Sequence, residues 1–208
     1  VITAGNHDSG TKHDIFKMPW KTLKVYTVGN IDSKNLEDLI IDIPGQGYVV
    51  AVPYVNERNM PHDFFQNLLD MAAERNKANL PVVMTAHTTV SGCDFSGHDN
   101  ASEYAVGGID SHHIEDFGSG YDYLALGHIH HAQCVHGGHH RVRYSGTPIP
   151  ISFDENYPHS VTIVELNGHG EQPIVREIEI TTRRPLVTLP KDGVATWEDA
   201  KHLLETFP

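Results

Sequence analysis

Three short motifs in this chain place one amide and four imidazoles directly after apolar segments that are typical of buried strands. Their sequences are Gly5-Asn6-His7-Asp8, Thr85-Ala86-His87-Thr88 and Gly127-His128-Ile129-His130. Amide oxygens and imidazole nitrogens are both ligands for divalent metal ions. The three motifs together predict part of a two-metal phosphoesterase site.

The third motif contains two histidines that are separated by one residue. In extended backbone this spacing places His128 and His130 on the same face, so both imidazoles can reach one metal cluster. The alternative is a pair of solvated loop histidines. We interpret both residues as metal ligands because an apolar segment, Leu124-Ala125-Leu126-Gly127, precedes them.

The first two motifs add two further candidate ligands. Asn6 offers a hard, neutral oxygen that suits Mn or Mg, although an Asx turn after Gly5 is the alternative. His87 follows an apolar strand and has small neighbours that leave room for a metal cluster, although a buried core histidine is the alternative. The remaining histidines near these motifs lack such placement, and we expect them on the surface or in the core: His112, His113 and His131.

The charge of the candidate ligands is too low for two metal ions. All four ligands are neutral, and a buried cluster of cations without compensating charge is very costly. Asp8 directly follows His7, and we expect it to orient a neighbouring group. Because no Asp-x-His motif precedes Gly5, the sequence predicts that the chain is N-terminally truncated.

The rest of the sequence predicts an α/β fold with short strands and few helices. Phe65, Leu68, Leu69 and Ala72 follow the spacing of one helical face, which predicts a helix over Asp63 to Asn76. Strands are predicted at Val1 to Ala4, Lys24 to Val28, Leu39 to Ile43, Tyr48 to Val52, Val82 to Ala86, Tyr121 to Leu126, and His128 to Val135 paired with Arg141 to Tyr144.

Toward the C-terminus, Val161 to Leu166 and Ile174 to Ile180 are predicted as late strands of the same sheets. The composition then changes, which predicts a domain at residues 1–182 and the start of a second domain at 183–208. That segment is predicted to hold a strand at Leu186 to Leu189 and a helix at about Thr196 to Glu205. Thr196 is the expected N-cap, with Asp199 three residues later.

Composition limits the possible functions. The formal net charge of -12 argues against a broad basic surface for nucleic acid, so any DNA contact must be local or depend on cations and a partner. No apolar segment is long enough for a membrane helix, so we expect no membrane contact. The two isolated cysteines favour a reducing, cytoplasmic location over a disulfide scaffold.

The motifs resemble those of the calcineurin-like metallophosphoesterases and, more closely, the SbcD family of bacterial exonuclease subunits. The resemblance spans roughly Val1 to Leu189 and rests on four segments: Gly5 to Ser9, Tyr123 to His130, Tyr144 to Pro150, and Ser152 to Glu155. It implies two stacked mixed β-sheets flanked by helices (α/β/β/α), followed by a small capping domain. The first two motifs of the family, Asp-x-His and Gly-Asp-x-x-Asp, do not occur ahead of Gly5 in the sequence.

The resemblance also implies roles for individual residues. Asn6, His87 and His128 would bind one metal ion, His130 would bind the other, and His7 would be the catalytic histidine. The complete protein would hold two divalent ions, with Mn expected, and would cleave phosphodiester bonds at DNA ends or hairpins in repair and recombination. Its partners would be DNA and an SbcC-type coiled-coil ATPase, and it would form a homodimer within that complex.

Two other functions remain open from the sequence. One is a different metallophosphoesterase, such as a phosphomonoesterase or a cyclic-nucleotide phosphodiesterase. The other is a non-catalytic scaffold that binds DNA ends or a partner. For the 208 residues themselves, we expect no activity and at most one weakly bound metal ion.

Overall fold

The computed structural model describes residues 1–56, 60–61, 63–95 and 111–207. In these ranges the chain is an α/β protein, as the sequence predicts. Its strands are β1 (Ile2–Thr3), β2 (Thr27–Val28), β3 (Ile40–Ile43), β4 (Gly47–Ala51), β5 (Val82–His87), β6 (Thr89–Val90), β7 (Ser111–His112), β8 (Tyr123–Gly127), β9 (Gln133–Cys134), β10 (Val142–Tyr144), β11 (His159–Glu165) and β12 (Ile174–Ile180). Its helices are α1 (Gly10–Ile15), α2 (Lys17–Thr22), α3 (Phe64–Arg75) and α4 (Trp197–Thr206).

A six-stranded mixed sheet forms the centre of the fold. Its strand order is β3-β4-β5-β8-β10-β9. The four central strands run parallel, and the two edge strands are antiparallel to their neighbours. The parallel strands are rich in buried apolar residues, as expected for strands that are covered on both faces. All parallel strands therefore end at the same edge of the sheet.

Helix α3 covers one face of this sheet and matches the predicted helix to within one residue at each end. The four residues of its predicted apolar face are all buried, and they contribute to the core together with Met84 and Leu124. Burial of each large apolar side chain contributes about 1.5–3 kcal/mol. The helix ends at Asn76, whose side chain bonds both backbone polar groups of Leu80 and fixes the turn into β5.

A short parallel pair, β1 and β2, carries the first motif to the large sheet. The Tyr54 N–H donates to the Ala4 carbonyl over 2.8 Å, and the Val52 N–H donates to the Thr85 carbonyl over 3.0 Å. The chain that follows β4 is therefore hydrogen-bonded to β1 on one side and to β5 on the other. This arrangement brings the end of β1 to the edge where β5 ends.

The predicted pairing forms, with Arg143 opposite Cys134 and Tyr144 opposite Gln133, but the strand predicted over His128 to Val135 is shorter and comprises only β9. The turn between β9 and β10 contains three residues with positive φ, namely Gly137, His139 and His140. Both cysteines of the chain, Cys93 and Cys134, are free.

The strands predicted at Val161 to Leu166 and Ile174 to Ile180 form, but their predicted location in the same sheets was wrong. β11 and β12 pair with each other in a separate antiparallel sheet and do not extend the central one. The buried Arg143 connects this hairpin to β10, because its guanidinium bonds Thr162 in β11 and the carboxylate of Glu177 in β12. The alternation of apolar and polar residues predicted both strands correctly, but it does not indicate which strand each of them pairs with.

The C-terminal residues follow the prediction in part. The strand predicted at Leu186 to Leu189 does not form. Helix α4 does form, and the Thr196 side chain accepts a hydrogen bond from the Asp199 N–H over 3.2 Å, as the predicted cap requires. None of the residues of α4 is buried. The division into domains at residues 182 and 183 stays a prediction, and Pro208 lies outside the described residues.

Two short helices, α1 and α2, were not predicted. Apolar side chains in and beside these helices are exposed, namely Ile15, Phe16, Met18 and Leu23, and neither helix has a buried residue. The sequence therefore lacks the helical spacing of apolar residues that predicts an amphipathic helix. Within the described ranges, no helix is long and apolar enough to cross a membrane. The second large sheet of the predicted α/β/β/α arrangement also stays a prediction.

Candidate metal centre

The three motifs lie at one edge of the central sheet. β5 and β8 are parallel and in register, so His87 at the end of β5 lies beside Gly127 at the end of β8. The first motif follows β1, which is connected to the same edge through Tyr54. The structure therefore brings together three segments that are far apart in the sequence.

The first motif is a tight turn that Asp8 closes. The Gly5 N–H donates to Asp8 Oδ2 over 2.7 Å, and the Asp8 N–H donates to the Gly5 carbonyl over 3.1 Å. The hydrogen bond from Gly5, followed by contact with His13, lowers the pKa of the Asp8 carboxyl below its ordinary value. Asp8 thus orients the turn, as expected, and leaves Asn6 and His7 exposed at its tip.

His87 occupies a narrow slot between Gly5 and Gly127. A Cβ atom on Gly5 would lie 2.6 Å from His87 Cε1, and one on Gly127 would lie 3.0 Å from His87 Nδ1. Both distances are shorter than normal van der Waals contact. The glycines of the first and third motifs are therefore needed to admit the imidazole of the second.

The environment of His87 keeps its imidazole neutral at physiological pH. Burial is the largest cause and lowers the pKa of His87 to about 4; Asp8 opposes this effect, while His7 and His130 reinforce it. Because metal ions bind the deprotonated imidazole, this low pKa favours a ligand role. The influence of His7 and His130 also shows that both side chains lie within electrostatic range of His87.

Asn6 and His128 both lie close to the His87 ring. His87 Nε2 is 3.0 Å from Asn6 Oδ1, and the ring centroids of His87 and His128 are 5.3 Å apart. Two neighbouring ligands at about 2.1 Å from one octahedral ion lie about 3 Å apart. The Asn6–His87 distance therefore fits both a direct hydrogen bond and joint coordination of one ion.

The backbone of His128 differs from the predicted extended form. His128 has φ +100°, a left-handed conformation that costs about 1–3 kcal/mol in a residue other than glycine. The predicted extended backbone was therefore wrong at His128. Ile129 between His128 and His130 is buried and holds the loop. Such local strain is typical of functional loops.

His130 is held by a carboxylate that was not predicted as a site residue. His130 Nδ1 lies 2.9 Å from Glu155 Oε1, and the Glu155 side chain is completely buried. Glu155 belongs to one of the four segments that carry the family resemblance, and its residue type and spacing do not indicate a site. The contact joins residues 25 positions apart in the chain, and no local pattern in the sequence indicates it.

The other histidines occupy different environments. His112 packs against the rings of Phe65 and Phe117 in the core, and His113 caps the 3-10 helix Ile114–Phe117 together with Asp116. His131 directly follows the third motif, where it contacts Asp94 and stacks on the ring of Tyr157 at 4.3 Å.

The donor set fits one divalent ion better than two. The amide and imidazole groups of Asn6, His87 and His128 suit a first-row divalent ion, and His130 adds one imidazole. Within the described parts of the chain, no group of three or more His, Cys, Asp or Glu side chains is arranged to hold a metal ion. Metal ligation by the four predicted residues stays a prediction.

Comparison with known proteins supports the resemblance that the motifs indicate. The chain is 29% identical to the SbcD component of nuclease SbcCD from Rhodobacter capsulatus over 223 residues, which cover 94% of the chain and 53% of that protein. It is 26% identical to the Bacillus subtilis protein of the same name over 227 residues, which cover 100% of the chain and 54% of that protein. The Escherichia coli K12 protein of that name is 35% identical over 135 residues, which cover 62% of the chain and 32% of that protein.

These relatives show that the chain is SbcD-like, and the resemblance stated from the motifs is confirmed. The two alignments that include nearly all of this chain span about half the length of their relatives. No family model matches the chain.

Proposed function

We propose that this chain is part of an SbcD-type nuclease that hydrolyses phosphodiester bonds at DNA ends or hairpins during repair and recombination. One observation carries the proposal: the three motifs meet at a single sheet edge, with His87 enclosed by the glycines of the other two. The relatives, which are named as components of a nuclease, support the same function.

Four residues would hold the metal ions of this enzyme. Asn6, His87 and His128 would bind one ion, and His130 would bind a second. When bound, divalent ions such as Mn²⁺ stabilise negative charge on a phosphate and supply a reactive water-derived nucleophile. In support, the burial of His87 keeps its imidazole neutral, and Asn6 Oδ1 already lies within 3.0 Å of it.

His7 would be the catalytic histidine. It lies at the exposed tip of the turn that Asp8 closes, next to Asn6. From this position its imidazole can approach a substrate that lies on the same sheet edge. It would stabilise a phosphate oxygen by hydrogen bonding or donate a proton to the leaving oxygen.

The charge of the proposed ligands limits what the 208 residues can do alone. The four donors are neutral, so they cannot balance two adjacent divalent ions. We therefore propose that this chain by itself binds at most one ion weakly and is inactive. A complete two-metal centre needs carboxylate ligands in addition to this set.

The whole protein would work as an assembly in the cytoplasm. The name SbcCD, carried by the relatives, supports an SbcC-type coiled-coil ATPase as partner, and we propose a homodimer of the SbcD-type chain within that complex. The net charge of -12 favours DNA contacts that are local and assisted by cations. We further propose that a second sheet completes the α/β/β/α fold and that residues 183–208 begin the capping domain.

The test is cleavage of hairpin DNA by the full-length protein with its ATPase partner and Mn²⁺. We expect His7→Ala to lower the rate by about 10²–10³, the typical cost of one lost transition-state contact, while metal content stays nearly unchanged. His136→Ala, a change of an exposed histidine in the β9–β10 turn, is the control. Near-normal cleavage by His7→Ala would contradict the catalytic role, and loss of metal would make His7 a ligand.

A second candidate is a non-catalytic scaffold that binds DNA ends or a partner. The absence of a three-residue His, Cys, Asp or Glu group among the described residues favours it. DNA binding without Mn²⁺-dependent cleavage in the full-length complex would support this alternative. Cleavage of a phosphomonoester or a cyclic nucleotide, but not of DNA, would instead indicate another metallophosphoesterase.

A further inference from the structure

We propose that Glu155 is a positioning residue that fixes the His130 imidazole in one tautomer, with its lone pair on Nε2. The importance of this tautomer for metal binding rests on the proposed function. The tautomer itself follows from the hydrogen bonds of the structure and can be tested without any metal.

The Glu155 carboxylate reaches His130 from a fully buried position. Its Oε1 lies 2.9 Å from His130 Nδ1, and no part of its side chain is exposed to solvent. A carboxylate removed from water is stable only when hydrogen-bond donors surround it. His130 Nδ1–H is the donor that faces Oε1.

Two further donors satisfy the other oxygen of Glu155. The Ile151 N–H donates to Oε2 over 3.1 Å, and the Thr147 hydroxyl donates to Oε2 over 3.4 Å. Both carboxylate oxygens therefore act as acceptors. Because a carboxylate oxygen cannot donate, the ring hydrogen of neutral His130 must be on Nδ1, and the lone pair must be on Nε2.

The backbone also prevents the carboxylate and the imidazole from moving apart. The Thr147 N–H donates to the His130 carbonyl over 2.9 Å. Gly146, at φ +75°, passes so close that a Cβ atom there would lie 2.6 Å from the same carbonyl oxygen. The side chain of His159 braces this segment, because its Nδ1 lies 3.0 Å from the Thr147 carbonyl.

This arrangement matches the pattern in which a carboxylate orients a metal-binding histidine through its second nitrogen. It gives the segment from Tyr144 to Glu155 a specific task, which is to deliver a buried carboxylate to the third motif. Loss of such an orienting partner typically lowers metal affinity by about 10–100-fold.

The substitution Glu155→Gln makes the inference testable because the two oxygens face unequal sets of donors. Two donors face Oε2, and one of them, the Ile151 N–H, belongs to the backbone and cannot turn away. The amide oxygen of glutamine will occupy that side, which directs its NH₂ group at His130 Nδ1. His130 must then accept at Nδ1 and carry its hydrogen on Nε2, so its tautomer switches.

The experiment uses the full-length protein labelled with ¹⁵N-histidine and freed of metal with a chelator. His130→Gln identifies the His130 signals, and long-range ¹H–¹⁵N correlation spectra show which ring nitrogen is protonated. We expect Nδ1–H in the wild type and Nε2–H in Glu155→Gln. Calorimetric titration with MnCl₂ should show a dissociation constant about 10–100-fold higher in Glu155→Gln.

Two further variants separate positioning from general damage to the fold. Glu165→Gln, which changes an exposed carboxylate paired with Arg176, is the matched control and should alter neither measurement. Thr147→Val removes one donor to Glu155 but leaves the contact with His130, so the tautomer should stay at Nδ1–H. The inference is wrong if wild-type His130 is protonated at Nε2, or if Glu155→Gln leaves the tautomer unchanged. A switched tautomer without Mn²⁺-dependent nuclease activity in the wild type would uphold the positioning role and contradict only the proposed function.

Discussion

The low pKa of His87 predicts that acid destabilises the fold through this one residue. His87 has a pKa of about 4 in the folded chain, compared with an ordinary value of 6.5. Between these values the unfolded chain binds more protons at this residue than the folded chain does. The free energy of unfolding is therefore not reduced by His87 above about pH 6.5, and it decreases as the pH falls toward 4. Proton linkage gives a loss of about 2.5 kcal/mol at pH 4.5 relative to pH 7.5.

The assay is urea unfolding of the metal-free full-length protein across this pH range, with His87→Gln as the comparison. Glutamine cannot take up a proton in this range. Between pH 7.5 and 4.5 the free energy of unfolding should therefore fall by about 2.5 kcal/mol more in the wild type than in His87→Gln. His136→Gln, a change in an exposed turn, controls for the substitution itself. Parallel stability curves for wild type and His87→Gln would refute the reasoning, because burial would then not oppose protonation of His87.

The site and its supports give three further predictions. His128→Ala and His130→Ala should each lower Mn²⁺ occupancy in the full-length protein, as measured by metal analysis after gel filtration. Gly5→Ala should destabilise the protein by about 1–3 kcal/mol, measured by urea unfolding, because the added methyl group overlaps the His87 ring. Asp122→Asn should cost about 2–3 kcal/mol in the same assay without changing Mn²⁺ affinity, because this buried carboxylate accepts from two backbone N–H groups at the opposite end of β8.

Each of these predictions has a matched control. His136→Ala should retain full Mn²⁺ occupancy; equal occupancy in all three histidine variants would show that His128 and His130 are not ligands. For Gly5→Ala the control is the same change in a His87→Ala background, where the ring that the added methyl group would overlap is absent, so the cost should be smaller there. An undiminished cost of Gly5→Ala in the His87→Ala background would contradict the proposed overlap with the His87 ring, and a loss of metal in Asp122→Asn would contradict the independence of the two ends of β8.

The sequence could predict those parts of the fold whose periodicity is set by burial. Helix α3 buries a continuous face, and its predicted ends differ from the structure by one residue. By contrast, α1 and α2 are six residues each and bury nothing, so their composition gives no amphipathic signal. β11 and β12 were predicted as strands, but where their hairpin attaches depends on contacts that no local pattern indicates, such as those from Arg143.

The sheet edge at which the candidate site lies could be predicted from the sequence, but some of its local geometry and contacts could not. Strand-end motifs place their side chains at one edge of a parallel sheet, and the structure puts His87 beside Gly127 as that rule requires. The left-handed backbone of His128 and the contact from Glu155 to His130 could not be predicted. The first depends on how the loop packs around Ile129, and the second depends on a chain reversal 25 residues later.

The slot around His87 has a consequence for how the motif loops can vary. Because no Cβ atom fits between the ring and either glycine without overlap, the thickness of one imidazole sets the spacing between the first and third loops. A thicker or branched side chain at this position would force the loops apart, and a small one would let them collapse together. The ring is thus a spacer as well as a candidate ligand, so a replacement that retained the chemistry but changed the shape would still alter the distance between Asn6 and His128.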